Sequence, residues 1–142
     1  MANPLIQTIE LTKTYGAGET AVHALESISL VVEPGEFIGI MGPSGCGKST
    51  LLNLLGALDQ PTSGEVWVAD ENLARLRDVD KFRARTIGFV FQLHNLLPTL
   101  NALENVEVPM IGQEQSARKR NQRARELLEV VGLRERAGHL PS

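Results

Sequence analysis

The sequence predicts an α/β fold built around one glycine-rich loop. Three observations predict it. Short alternating or continuous apolar runs, typical of strands, fill much of the first ninety residues. Leucines then recur at helical spacing directly after the loop at 42–50. A second helical pattern lies near the end of the chain, so strands and helices are expected to share the fold.

Length and composition are those of a folded domain. The chain has 142 residues, of which 42% are hydrophobic and 22% charged. Its net charge of −3 argues against nucleic acid as a partner, because backbone phosphates attract an excess of positive charge. A single cysteine excludes an internal disulfide. With no secretory signal and no long apolar run, we expect a soluble, cytoplasmic chain that reaches a membrane only through a partner.

Five strand segments are predicted. Residues 5–16 and 21–33 alternate apolar and polar positions, and the second ends in the turn at Pro34–Gly35. The runs FIGIM (37–41) and RTIGFVFQ (85–92) are nearly all apolar at their centres, which is typical of strands buried on both faces. Residues 60–76 indicate a turn, a strand and a further turn.

Three helices are predicted. The first follows the glycine-rich loop, with apolar positions at Leu51, Leu54, Leu55 and Leu58. The second occupies residues 99–108, where Asn101 and Glu104 have the spacing of a capping box. The third runs from Ser116 to Val131, and Gly132 stands where a helix stop is expected.

The loop between the apolar run at 37–41 and the first predicted helix matches the phosphate-binding pattern G-x-x-x-x-G-K-[ST]. Glycines let successive N–H groups point inward, and the following helix adds its free N–H groups and dipole. A lysine supplies a mobile positive charge and a serine a hydroxyl for Mg²⁺. The pattern predicts binding of a nucleoside triphosphate with Mg²⁺ by Gly42, Pro43, Ser44, Gly45, Cys46, Gly47, Lys48, Ser49 and Thr50.

Several classes of phosphate chemistry use such a loop. A GTPase would show N-K-x-D and D-x-x-G, and neither occurs here. A small-molecule kinase stays open, although nothing in the sequence indicates its second substrate. The third class is the transporter ATPase, and here the chain resembles a known family.

Two stretches of the chain carry this resemblance, LESISLVVEPGEFIGIMGPSGCGKSTLLNLLGALDQPTSGEV and IGFVFQLHNLLPTLNALENVEVPM. They make the chain similar to ABC transporter ATP-binding subunits, particularly those of the lipoprotein-release and macrolide-export branch. The resemblance implies a P-loop NTPase fold, with a RecA-like core, an N-terminal antiparallel β portion and the start of a helical subdomain. It implies that Tyr15 stacks on adenine and that Gln92 contacts Mg²⁺ and the attacking water. It also implies a membrane permease partner and a head-to-tail dimer.

One departure from the family pattern limits these expectations. The chain contains no Ser-Gly-Gly, so the signature motif is missing, and the resemblance places this chain at the N-terminal portion of such a subunit. We therefore expect residues 1–92 to form part of the nucleotide-binding core and residues 93–142 to begin the helical subdomain. Asp70–Glu71 superficially resembles the strand end that carries the catalytic carboxylate, but a turn is the favoured interpretation.

The predicted function is that of an ATP-binding subunit of an ABC transporter, on the inner face of the cell membrane beside a permease, in export or lipoprotein release. Lys48 and Gln92 are the predicted catalytic residues, and Ser49 and Gln92 the predicted Mg²⁺ ligands. The alternative is a nucleotide-binding module that does not hydrolyse ATP, or an incomplete fragment without activity of its own.

Overall fold

A computed structural model of the chain describes residues 3–93, 95–113 and 116–141. The chain divides into two compact units, Met1–Ile87 and Gly88–Ser142, which we call the first and second unit. The first unit contains β1 (Ile6–Tyr15), β2 (Val22–Val32), α1 (Lys48–Leu55), β3 (Ser63–Val68), β4 (Glu71–Asn72) and α2 (Val79–Thr86). The second contains α3 (Ala102–Glu107) and α4 (Ala117–Val130). Short 3₁₀ turns lie at Gly18–Thr20, Leu73–Arg75, Val108–Met110 and Arg134–Arg136.

The four strands form one antiparallel sheet in the order β2-β1-β3-β4. β1 is therefore paired on both sides. The ladder with β2 runs from Ile6↔Val32 to Tyr15↔Val22, and it is interrupted by register shifts, with Glu10 and Ser27 at positive φ. Such bulges bend a strand and increase its twist. The antiparallel β portion expected at the N-terminal side is confirmed.

The core of the first unit lies between the sheet and α1. Leu11 of β1 is 0% exposed, and Leu54 of α1 is 1% exposed. Leu25, Leu51, Val66, Val68 and Phe82 complete this cluster together with Ala57. The predicted amphipathic helix is confirmed, but it ends at Leu55 before Gly56, so Leu58 lies outside it and is exposed.

Two strand predictions are wrong. Residues 37–41 and 87–92 have no regular secondary structure, and Phe37 and Val90 are fully exposed. A strand with apolar side chains on both faces is stable only when neighbouring strands and helices cover it. Within the described ranges neither run pairs with another strand. Arg85 and Thr86, the first two residues of the strand predicted at 85–92, belong instead to α2. The N-cap of this helix, Asp78, accepts a hydrogen bond from the Lys81 N–H.

The helical predictions for the second unit are confirmed. α3 begins with the capping box, in which Asn101 and Glu104 each accept from the other's backbone N–H. α4 begins after Ser116 and is followed by Gly132 at φ 72°. Leu103, Ala124 and Leu128 form the core between these two helices.

Candidate phosphate-binding site

Three glycines shape the glycine-rich loop, because they take backbone conformations that other amino acids would adopt only with strain. Gly42, Gly45 and Gly47 have φ of 156°, 82° and 89°. Between them the chain turns tightly, with the Cys46 N–H donating to the Pro43 carbonyl over 3.4 Å. Glycine is the residue that takes positive φ at little cost, so the sequence pattern and the backbone shape agree at these positions.

Gly47 also fixes where the loop sits. A Cβ at this position would lie 2.4 Å from the Ala24 carbonyl oxygen and 2.9 Å from Leu25 Cδ2, both on β2. These distances are shorter than any normal contact, so only glycine lets the loop approach the strand this closely. The backbone of the loop therefore lies directly against β2 at Gly47.

The N-terminus of α1 presents free donors beside the loop. Gly47 is its N-cap and makes no side-chain cap, and the first helical hydrogen bond runs from the Leu51 N–H to the Gly47 carbonyl over 2.9 Å. The N–H groups of Lys48, Ser49 and Thr50 precede that bond and have no partner within the helix. Together with the positive end of the helix dipole, they favour an anion at this point.

Lys48 places its ammonium group inside the loop. Its Nζ donates to the Gly42 carbonyl over 2.9 Å and to the Pro43 carbonyl over 2.7 Å, and it lies 3.5 Å from Cys46 Sγ. The charge is thus held on the concave side of the turn by the loop's own backbone. Cys46 is the one cysteine of the chain and is exposed.

The donor set of the loop fits a Mg²⁺–triphosphate. Mg²⁺ prefers hard oxygen ligands and is usually held by one or two protein groups together with substrate phosphates. The Ser49 hydroxyl is such an oxygen, it is exposed, and it stands one residue after the lysine at the helix N-terminus. Amides, an ammonium and a hydroxyl therefore belong to one short segment, the loop and the first turn of α1.

Tyr15 ends β1 and is 41% exposed. Its hydroxyl donates to Asp59 Oδ2 over 2.8 Å, and the Lys13 Nζ lies 4.8 Å from the centre of its ring. Tyr15 pairs with Val22 on β2, and the loop touches the same strand at Ala24, two residues further on. Two residues of a strand span about 7 Å, so the aromatic ring and the phosphate loop lie along the same short stretch of β2.

Asp59 is the carboxylate that binds both Lys13 and the Tyr15 hydroxyl. The Lys13 ammonium donates to Asp59 Oδ1 over 2.7 Å and to the Gln60 carbonyl over 2.7 Å. First the hydrogen bond from Lys13 and then that from Tyr15 hold the pKa of the Asp59 carboxyl below its usual value of 3.8, against the opposing effect of burial. Asp59 therefore stays ionised near neutral pH and keeps both donors in place.

The predictions for the pair Asp70–Glu71 and for Gln92 have different outcomes. Ala69 and Asp70 both have positive φ and form a two-residue turn between β3 and β4, as Val68 pairs with Glu71. Asp70 accepts from the Asn3 amide over 2.8 Å. The turn interpretation is confirmed. Gln92 belongs to the second unit, is exposed, and follows residues without regular structure, so its role stays a prediction.

Comparison with known proteins decides the family. The ABC transporter family model matches residues 25–141, which include the phosphate loop and most of both units. The chain belongs to the ABC transporter family. It is 48% identical over 139 residues to the lipoprotein-releasing system ATP-binding protein LolD of Geobacter metallireducens, covering 96% of this chain and 62% of that protein. It is 45% identical over 144 residues to the macrolide export ATP-binding/permease protein MacB of Hyphomonas neptunium, covering 99% of this chain and 22% of that protein.

The fold of the ABC family is shown by solved structures. The dimeric ATP-binding cassette MJ0796 of Methanocaldococcus jannaschii, in a post-hydrolysis state bound to ADP and Pi, superposes with a TM-score of 0.83 at 45% identity, covering 96% of this chain and 61% of that chain. The P-loop NTPase fold class is confirmed. The chain spans 60% to 62% of the length of the separate ATP-binding proteins that it matches.

Sequence reasoning missed the residues that surround Tyr15. Lys13 and Asp59 are 46 positions apart, and neither belongs to a recognisable motif. The one available signal was the alternation of β1, which places Lys13 on the same face as Tyr15. No pattern in a single sequence connects that face to Asp59 after α1.

Proposed function

We propose that this chain binds Mg²⁺–ATP as part of an ATP-binding subunit of an ABC transporter, working with a membrane permease in export or lipoprotein release. One observation carries the proposal: the Lys48 ammonium is held at the glycine-rich loop beside the free amides of α1, in the same first turn that carries Ser49. The exposed residue Tyr15 pairs with β2, the strand against which the loop also lies. Such a combination suits a ligand with a polyphosphate at one end and a flat base at the other.

In this proposal each group has a separate role. The amides of 48–50 and the loop surround the inner phosphates, and Lys48 exchanges a carbonyl partner for the outer phosphates. Ser49 and Gln92 would hold Mg²⁺, which supplies charge neutralisation at the phosphate oxygens. Tyr15 stacks on the adenine. Because stacking recognises a flat ring rather than its edge, Tyr15 contributes affinity with little base selectivity.

The permease contact is proposed for the second unit. Leu96 and Leu97 are exposed, and the segment after them is held by Asn105, whose Nδ2 donates to the carbonyls of Leu100 and Asn101 over 2.8 and 3.0 Å. Asn105 Oδ1 also accepts from the Leu97 N–H over 2.8 Å. An apolar surface presented on a fixed backbone suits a protein partner. No helix in residues 3–93, 95–113 and 116–141 is long and apolar enough to cross a membrane.

For hydrolysis we propose a head-to-tail pair of ATP-binding subunits, with Lys48 and Gln92 acting at the γ-phosphate. The relative MJ0796 forms a dimer in a post-hydrolysis state bound to ADP and Pi, which supports the pairing of two subunits. Phosphoryl transfer depends on groups that orient water and stabilise charge. The alternative is nucleotide binding without turnover, and phosphate release by the chain distinguishes the two.

The test is calorimetric titration of the whole chain with Mg²⁺–ATP, together with the variants Lys48→Ala and Lys81→Ala. Lys81 is an exposed lysine on α2 and serves as the matched control. We expect Lys48→Ala to weaken binding by about tenfold or more, since a charged hydrogen bond to the ligand contributes about 1.5–3 kcal/mol. Lys81→Ala should leave affinity unchanged. Equal affinity for both variants, or no binding by the unmodified chain, would contradict the proposed site.

A further inference from the structure

The environment of Tyr15 is more specific than an exposed aromatic requires. Its ring and its hydroxyl are both engaged, the ring by the Lys13 ammonium at 4.8 Å from the centroid and the hydroxyl by Asp59 at 2.8 Å. The Lys13 side chain is only 12% exposed and the Asp59 side chain 29%. A tyrosine that is exposed at the end of a strand can be solvated by water alone. The contacts of Tyr15 with Lys13 and Asp59 therefore suggest a role for a ring held in one orientation.

Lys13 and Asp59 restrain Tyr15 without burying it. Lys13 and Tyr15 are two residues apart on β1, so both side chains stand on the same face of the sheet and the ammonium covers one side of the ring. The hydrogen bond to Asp59 fixes the position of the hydroxyl and so opposes rotation about the Cα–Cβ bond, while the Lys13 ammonium packed over the ring opposes rotation about the Cβ–Cγ bond. Tyr15 nevertheless remains 41% exposed, so the residue stays accessible to a ligand despite these contacts.

We propose that Lys13 and Asp59 are positioning residues for nucleotide recognition, holding Tyr15 as a rigid platform on which the purine base stacks opposite Lys13. The proposal rests on the proposed function, because it assumes that the phosphates bind at the loop. A cation against one face of an aromatic ring draws its π electrons toward that side, which suits an electron-rich purine on the other. Three layers result: ammonium, phenol ring and base.

Pre-organisation gives the expected size of the effect. Immobilising one free side chain on binding weakens affinity about twofold to tenfold, and a ring already held in place avoids that loss. Removing the restraint should therefore weaken binding of a nucleotide by that factor. It should leave binding of a triphosphate without a base unchanged, because the phosphate loop is formed by other residues.

The experiment compares two probes, Mg²⁺–ATP and Mg²⁺–tripolyphosphate, on the whole chain. Asp59→Ala removes the acceptor for both donors, while Tyr15→Phe keeps the ring and deletes only its hydrogen bond to Asp59. We expect both variants to bind Mg²⁺–ATP about twofold to tenfold more weakly and to bind tripolyphosphate as the unmodified chain does. The matched control is Asp80→Ala, which removes a carboxylate that pairs with Arg83 on α2 in the same unit.

A spectroscopic measurement reports on the ring directly. Tyr15 is the one tyrosine in the chain, so ring-¹³C labelling gives a single set of signals. ATP should shift these signals through stacking, and tripolyphosphate should not. In Asp59→Ala without any ligand, the ring signals should already move, because the hydroxyl has lost its acceptor.

The outcomes separate this proposal from the proposed function. If the unmodified chain binds both probes but Asp59→Ala and Tyr15→Phe keep the same ratio of affinities, the positioning role is refuted while the phosphate site stands. A variant that loses both probes together has lost its loop, and Tyr15→Phe then decides. If the unmodified chain binds neither probe, the proposed function fails and this proposal fails with it.

Discussion

Gly47 offers the sharpest test of how the phosphate loop is built, and Gly45 is its natural control. Both have positive φ, at 89° and 82°. A Cβ at Gly45 would meet nothing within 4 Å, whereas one at Gly47 would lie 2.4 Å from the Ala24 carbonyl oxygen. Alanine at either position therefore takes on the same backbone strain, and only alanine at Gly47 also collides with β2.

The magnitudes follow from these two contributions. Left-handed backbone costs an alanine about 1–2 kcal/mol, partly offset by about 0.4–1 kcal/mol from the reduced entropy of the unfolded chain. Gly45→Ala should then lower the free energy of unfolding by about 1 kcal/mol. Forcing a methyl group against a packed backbone costs about 1–3 kcal/mol more. We therefore expect Gly47→Ala to be destabilising by about 2–4 kcal/mol.

The assay is urea unfolding followed by Trp67 fluorescence. Trp67 is the one tryptophan, and it lies in β3 of the first unit, so it reports the unit that contains the loop. The difference between the two variants isolates the contact with β2 from the backbone strain. Equal losses of stability for Gly45→Ala and Gly47→Ala would refute the close approach of loop and strand.

Three further predictions concern the rest of the fold. Leu54→Ala should lower the free energy of unfolding by about 2–5 kcal/mol because Leu54 is buried in the core, and the exposed Leu52→Ala should cost far less; urea curves compare them. Asn101→Ala removes the N-cap of α3 and should cost about 1 kcal/mol, measured by thermal unfolding followed by helix circular dichroism; an unchanged melting temperature would contradict the capping box. Because the folded pKa of Asp59 is lowered, its ionised form stabilises the fold above pH 3.8, and that contribution is lost as the pH falls through the folded value. When the free energy of unfolding is measured at decreasing pH, it should therefore fall less for Asp59→Asn than for the unmodified chain. The same pH dependence for both proteins would contradict the ion pair.

The parts of the fold that the sequence predicts correctly are those specified by local interactions. A capping box, a glycine stop and an amphipathic repeat each lie within a few residues, and α3, α4 and α1 are found where those signals stand. The phosphate loop is likewise a contiguous pattern whose backbone requirements match its residues. The turn at Ala69–Asp70 follows the same rule, since the chain reversal is decided by neighbouring residues.

The errors arise where structure depends on distant partners. The runs at 37–41 and 87–92 have strand composition, but a strand is formed by pairing, and sequence composition alone does not show whether a partner is present. The sequence does not predict the helix α2 at all, because its N-cap Asp78 and its single buried residue Phe82 give no apolar repeat from which a helix could be recognised. The restraint on Tyr15 by Asp59 is equally invisible, since only folding brings the two together.

The short helix α1 serves both ends of the proposed ligand. Its first turn faces the loop, and four residues beyond its last residue the chain reaches Asp59, which fixes the tyrosine. Eight helical residues span about 12 Å, so α1 carries the chain from the phosphate loop at its first residue to the short segment that ends at Asp59. A residue inserted between Leu55 and Asp59 would leave the start of α1 and its loop unchanged, but it would displace Asp59 from the Tyr15 hydroxyl and the Lys13 ammonium.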